Sequence, residues 1–254
     1  MTVHPAAAQG YTANSEIFAK GRPDYPPQIA DWLRDELGLG PGKIVLDLGA
    51  GTGKFLPSLL ATDATVVAVE PVDAMRARLI ERNPGVGVMA GSAEHIPLAD
   101  RSVDAVVCAQ SFHWFANRRA LAEIHRVLRL GGHLGLVWNV RDERIPWVSE
   151  LSAIIEPYAD DTPRFKDDWG QLFPIEGFST LVKTEFPHAH TGAPEQVIVD
   201  RMLSVSFVSA LPLARQDEIA ARIRAVIAET PDLAGKQRVT YPYQTVAFSC
   251  HSLV

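Results

Sequence analysis

The chain has 254 residues, 47% of them hydrophobic, and 24 Lys and Arg against 30 Asp and Glu give a formal charge of -6. That suits a globular protein with a sizeable core and disfavours a nucleic-acid binder, which needs a basic face. Two cysteines, Cys108 and Cys250, exclude a disulfide framework and point to a reducing, cytoplasmic setting.

No apolar run approaches the roughly 20 residues of a membrane-spanning helix. The first residues lack the charged-then-apolar pattern of a secretory leader. In chain order, "DYPPQIADWLRDELG" (24–38) predicts a helix ahead of the first strand, "KIVLDLG" (43–49). "GKFLPSLLATD" (53–63) predicts a helix, "TVVAVEP" (65–71) a strand and "VDAMRARLIERNP" (72–84) a helix. "VDAVVCAQS" (103–111), counted as the fourth strand, precedes a helix over 117–132, capped by Asn117 and stopped at Gly131 and Gly132. "GHLGLVWNV" (132–140) is the fifth strand. These short β-branched runs read as strands buried on both faces. Their alternation with helices implies parallel strands in a doubly wound α/β sheet.

After residue 142 the pattern changes. Residues 143–173 predict irregular helix, "FSTLVKTEFPHAH" (178–190) a sixth strand, 194–211 and 213–231 two helices, and 237–250 a closing strand. One domain over 1–254 is expected, with its core at 40–142 and a helical lid from residues 1–30 and 143–230.

Three glycines, Gly49, Gly51 and Gly53, follow the first strand and open a helix. Open α/β sheets bind ligands at the carboxyl ends of their strands, and glycine lets backbone approach a ligand closely. A dinucleotide fingerprint starting at Gly49 would need a small residue where Lys54 stands, and no phosphate-cradling G-x-x-x-x-G-K-[ST] loop occurs. Asp47, two residues before the turn, suits a cationic ligand instead.

The pattern Asp47-x-Gly49-x-Gly51-x-Gly53 resembles motif I of the class I S-adenosylmethionine-dependent methyltransferases. That resemblance implies a mostly parallel seven-stranded, Rossmann-like sheet and S-adenosylmethionine as cofactor. It implies a cofactor site at Asp47, Gly49, Ala50, Gly51 and Gly53, and at Glu70 and Pro71, where Glu70 would hold ribose hydroxyls. A carboxylate can accept two hydroxyl protons, as in dinucleotide folds; a charge at a helix N-terminus is the other reading of Glu70. The segment "GSAEHIPLADRSVDAVVCAQSFHWF" (91–115) resembles the family's adenine-side turn at Ser92, Ala93 and Glu94, with Gln110 near the methionine moiety.

"SFHWF" and "FAKGRPDYPP" (18–27) are similar to small-molecule members of the family such as the trans-aconitate methyltransferase-like group. There Phe18, Arg22, Pro23, Tyr25 and Pro26 match a segment folded over the cofactor. Arg22 is either a partner for the methionine carboxylate or a surface residue.

The expected reaction is in-line methyl transfer to a small organic acceptor bearing a carboxylate, hydroxyl or amine. No nucleic-acid or membrane partner is expected, and the oligomeric state is open. His113 is the candidate general base, or else packs beside Trp114. Tyr25, His113, Trp114, Trp138 and Arg141 are candidate acceptor contacts; an arginine's planar fork suits a carboxylate. No metal site is expected, since His188 and His190 lack an acidic or cysteine partner nearby. The alternatives are a nicotinamide-dependent oxidoreductase on a similar fold and a cofactor-binding module without catalysis.

Overall fold

The computed structural model describes residues 22–160, 162–164 and 168–253. Phe18 and most of the expected N-terminal lid element therefore lie outside the described residues. Seven strands form one sheet: β1 Ile44–Leu48, β2 Thr65–Val69, β3 Gly87–Met89, β4 Val103–Ala109, β5 Leu128–Arg141, β6 Val182–Gly192 and β7 Val239–His251. Their order is β3-β2-β1-β4-β5-β7-β6, parallel throughout except that β7 runs against both neighbours. The expected mostly parallel seven-stranded sheet is present.

Strand order reverses between β1 and its neighbours β2 and β4, so the turn after β1 opens at the sheet's switch point. α1 Gln28–Asp35, α2 Leu56–Leu60 and α3 Asp73–Arg82 precede β1, β2 and β3 in turn. α1 and α2 pack on one face, where Ile29, Leu33, Leu56 and Leu59 are fully buried with Val45, Ala68 and Val107. Each such side chain contributes about 1.5–3 kcal/mol on leaving water. α4 Arg118–Val127 covers the other face through Leu121, Ile124 and Val127, packed with Leu46, Leu136 and Trp138. A third cluster joins α5 Pro146–Ile155, the turns at 195–209, α6 Leu213–Glu229 and the inward side chains Tyr241 and Tyr243 of β7.

Two expectations are corrected. α4 begins at the Asn117 cap, whose side chain accepts from Arg119 N and Ala120 N, but ends at Val127 rather than at the glycines. The carbonyls of Arg126 and Val127 instead accept from the amides of Arg101 and Ser102, which opens Leu128 to pair with Val103. Residues 194–211 form not one helix but a π turn at Glu195–Asp200, then Arg201–Leu203 and Ser206–Ser209. The Ser204 and Ser209 hydroxyls bond back to the carbonyls of Arg201 and Ser206, competing with a continuous ladder. β3 is three residues long and carries no pattern of its own.

Candidate functional site

A cavity of about 230 Å³ lies at the carboxyl end of β1. The chain turns there through Gly49, Gly51 and Gly53, each with positive φ, of 72°, 60° and 83°. The amides of Gly49 and Ala50 donate to Val69 O, fastening the turn to the end of β2. Buried Glu70 accepts from Gly51 N at 2.8 Å and from Val72 N at 2.9 Å, so one carboxylate ties the glycine turn to the start of α3. Burial raises its pKa against the pull of those two amides and Arg76. Glu70→Gln sets an amide NH2 against one of these donors. The expected cost is about 1–3 kcal/mol, read as a lower urea midpoint, with weaker cofactor binding.

Asp47 is 1% exposed, and neither of its carboxylate oxygens has a hydrogen-bond partner. Burial, reinforced by nearby Glu70, pushes its pKa up to about 7. A buried carboxylate without partners is costly, and its place in a cavity wall matches a ligand that brings the countercharge.

The segment 22–27 lies over this cavity. The carbonyl of Asp24 accepts from Asn139 Nδ2 at 3.0 Å and lies 2.7 Å from His188 Nε2, while its side chain pairs with Lys54 Nζ at 2.7 Å. Lys54, which spoils a dinucleotide fingerprint, thus clamps the segment to the glycine turn. Tyr25 packs edge-on against Phe55 and lines the cavity with Arg22 and Asp47. Its phenol pKa is pushed up by burial and by Asp47.

The 91–98 loop forms another wall. Gly91 fits because a Cβ there would sit 2.6 Å from Pro97 Cδ. Glu123 of α4 accepts from Ile96 N, and Arg126 donates to the carbonyls of Ile96 and Leu98. This brings Ser92, Ala93 and Glu94 to the cavity, and Glu94 accepts from Asn117 Nδ2.

A second cavity, of about 670 Å³, adjoins the first. The two share Arg22, Gln110, Trp114, Asn139 and Arg201; His113 and Arg141 line only the second. Gln110 holds a positive φ of 56° and donates from Nε2 to Asn139 O. Trp138 lines neither cavity. It is fully buried, stacked on Trp169 with ring centroids 4.7 Å apart, and donates from Nε1 to His113 Nδ1 at 3.1 Å. That bond leaves His113 its proton on Nε2, and burial, then Arg22, pushes its pKa down to about 3.

Asn139 and Arg201 are site residues that sequence reading missed. Asn139 sat inside the quoted fifth strand beside Trp138, and its polar side chain in a buried run was the available signal. Nothing in the 194–211 segment marked Arg201.

The model of the family described as a methyltransferase domain matches residues 46–136. An uncharacterized methyltransferase-like protein of Schizosaccharomyces pombe is 41% identical over 234 residues, covering 91% of each chain. The chain belongs to the class I S-adenosylmethionine-dependent methyltransferases. An uncharacterized methyltransferase of Mycobacterium tuberculosis is 39% identical over 90% of each chain. The [4+2]-cyclase SpnF shares the fold, with a TM-score of 0.58 at 16% identity over 98% of this chain and 96% of its own. Fold alone therefore does not separate methyl transfer from other chemistry; the close relatives do.

The methyltransferase uses S-adenosylmethionine, which removes the nicotinamide alternative. The uncompensated oxygens of Asp47 and the open backbone of the glycine turn fit that cationic molecule. Similarity to the trans-aconitate methyltransferase-like subgroup has no counterpart among these relatives. Among the described residues no helix is long and apolar enough to cross a membrane, and no three metal-ligating side chains converge.

Proposed function

We propose that the methyltransferase holds its cofactor in the cavity over the glycine turn and methylates a small organic molecule in the adjoining cavity, under the helical turns of residues 195–209. The observation that carries this reading is the continuity of the two cavities through Gln110, Trp114, Asn139 and Arg201. Asp47 faces the cationic methionine end, and Glu70, with lone pairs to spare beyond its two amides, accepts from the ribose hydroxyls. Gly49, Ala50, Gly51 and Gly53 supply backbone against the cofactor, with Pro71, Ser92, Ala93 and Glu94 on the adenine side. Arg22 pairs with the methionine carboxylate, and Gln110 flanks it. Tyr25 belongs with these residues, since it lines the cofactor cavity alone.

The bound cofactor supplies a methyl group activated by positive sulfur. The residues around it contribute alignment, charge and exclusion of water. His113 acts as a donor from Nε2 to the acceptor rather than as a base, because its Nδ1 lone pair is occupied by the Trp138 indole. Trp114 forms the apolar wall between donor and acceptor.

Incubation with methyl-labelled cofactor and a panel of acids, phenols and amines tests the reading; label should pass to one class, and transfer to none would sink it. His113→Ala is expected to keep cofactor affinity and lose about tenfold in turnover, the worth of one hydrogen bond. At saturating cofactor the parent rate should show no inflexion between pH 6 and 8. An inflexion there that vanishes in the variant would restore the base.

A further inference from the structure

The second cavity carries an uneven charge. Three of its cations are matched: Arg144 with Asp142 at 2.7 Å, Arg164 with Glu156 at 2.7 Å and Lys183 with Glu185 at 2.6 Å. Arg201 is different. Its Nε and Nη1 are buried with no hydrogen-bond partner. Arg141 is nearly so: Nε is buried without a partner, Nη1 reaches only the Met202 sulfur at 3.6 Å, and Nη2 stands 4.0 Å from Glu143. Guanidinium nitrogens removed from water without an acceptor are expensive. Two such groups on one cavity wall mark a place for an anion.

The elements explain the placement. Arg141 ends β5, where it pairs with Tyr243 of the antiparallel β7, and Arg201 follows the π turn at 195–200. Arg201 lines both cavities, so it stands where donor and acceptor would meet, whereas Arg141 lines only the acceptor side.

The carboxylates of this cavity are held by cations: Asp142 by Arg144, Glu156 by Arg164, Glu185 by Lys183, and Glu143 stands 4.0 Å from Arg141. His113 Nδ1 is engaged by Trp138, and the Tyr241 hydroxyl points at the Met202 sulfur at 3.4 Å. Asp47 lines only the cofactor cavity. A nucleophile that arrives already deprotonated suits this cavity, because it needs neither His113 nor a cation-bound carboxylate as a base.

We infer that Arg201 and Arg141 bind a carboxylate of the methyl acceptor, and that this carboxylate is the group methylated. The inference rests on the methyl-transfer reading above. A carboxylate oxygen forms the new O–CH3 bond with its own lone pair as the S–CH3 bond breaks. That electron pair stays on sulfur, leaving a methyl ester and S-adenosylhomocysteine, and no proton moves. A planar guanidinium fork fits a carboxylate in two-point fashion.

The test is calorimetry on the full chain saturated with S-adenosylhomocysteine. The probes are adipate, tricarballylate and 3-phenylpropionate, set against their methyl esters and against 3-phenylpropyl phosphate. At least one carboxylate should bind, its ester should not, and methyl-labelled cofactor should yield base-labile label in that acid. Arg201→Gln and Arg141→Gln should each weaken carboxylate binding about 10- to 100-fold, with Arg201→Lys between them and the parent. S-Adenosylhomocysteine affinity should stay within about twofold in Arg141→Gln, because Arg141 lines only the acceptor cavity. Thermal melting should show Arg201→Gln at least as stable as the parent, because it removes an uncompensated buried cation.

Failure of every carboxylate to bind, or tighter binding of the phosphate, overturns the inference. So does an Arg201→Gln variant that binds carboxylate normally, fails to fold, or loses S-adenosylhomocysteine instead. Failure of the parent protein to bind S-adenosylhomocysteine at all would instead strike the methyl-transfer reading itself.

Discussion

Asp47→Asn is expected to bind S-adenosylmethionine about 100-fold more weakly, the usual scale for removing one partner of a buried charge pair. The same substitution should make the unliganded protein more stable above pH 7. Both effects follow from one carboxylate with a folded-state pKa of about 7, raised by burial from 3.8. An acid whose folded pKa is raised binds protons more readily folded than unfolded, so its contribution to stability falls as pH rises from about 4 to 7. The full cost of the ionised form, of order 4 kcal/mol, is present above that window.

A bound cation reverses the preference. Cofactor affinity should therefore tighten as pH rises toward 7 and level off beyond it, and binding at pH 6 should release most of one proton. Calorimetry at pH 6 in two buffers of different ionisation enthalpy measures that proton, and Asp47→Asn should abolish it. Comparing S-adenosylhomocysteine, which keeps the ammonium but lacks the sulfonium, tells which cation Asp47 serves. Equal loss for both ligands assigns the ammonium. Unchanged binding of both would remove Asp47 from the site.

Gly49→Ala should be severely damaging, because backbone strain and crowding coincide there. Its φ of +72° is unfavourable for any residue with a Cβ, at about 1–2 kcal/mol. The added carbon would also sit 2.8 Å from Ser111 Cβ and 3.3 Å from Phe115. Ser111 has little room to retreat, because its hydroxyl donates to Leu48 O at 2.7 Å. Strain and overpacking together suggest a loss of about 3–5 kcal/mol, measured by urea denaturation, with cofactor binding lost alongside. Gly38→Ala is the control: its φ is +62°, but nothing lies within 4 Å of the new Cβ. It should cost only the backbone part. Equal losses in the two variants would mean that Ser111 yields and crowding at the turn is slight.

The sheet was legible in the sequence because strands buried on both faces are apolar along most of their length, as at residues 44–48 and 103–109, where Asp47 and Asp104 are the exceptions. The glycine turn was legible because positive φ restricts the choice of residue. Glu70 showed itself by position, yet its two amide partners belong to segments on either side of it, and periodicity carries no such information. The helix end at Val127 was misplaced for a related reason. Gly131 and Gly132 look like a stop signal, but the loop at residues 101–102 takes the last carbonyls first. Arg201 was invisible, since only folding brings it to the wall it shares with Arg141. His113 stood out by type, while its proton inventory was set by an indole 25 residues away.

The cluster formed by α5, α6 and the inward tyrosines of β7 shares no residue with the two clusters flanking the sheet. Changes made in separate packing units tend to add rather than compound. On the reading proposed above, descendants of this chain can exchange one diet of acceptors for another by redrawing the roof, while the glycine turn that holds the methyl donor passes on unaltered.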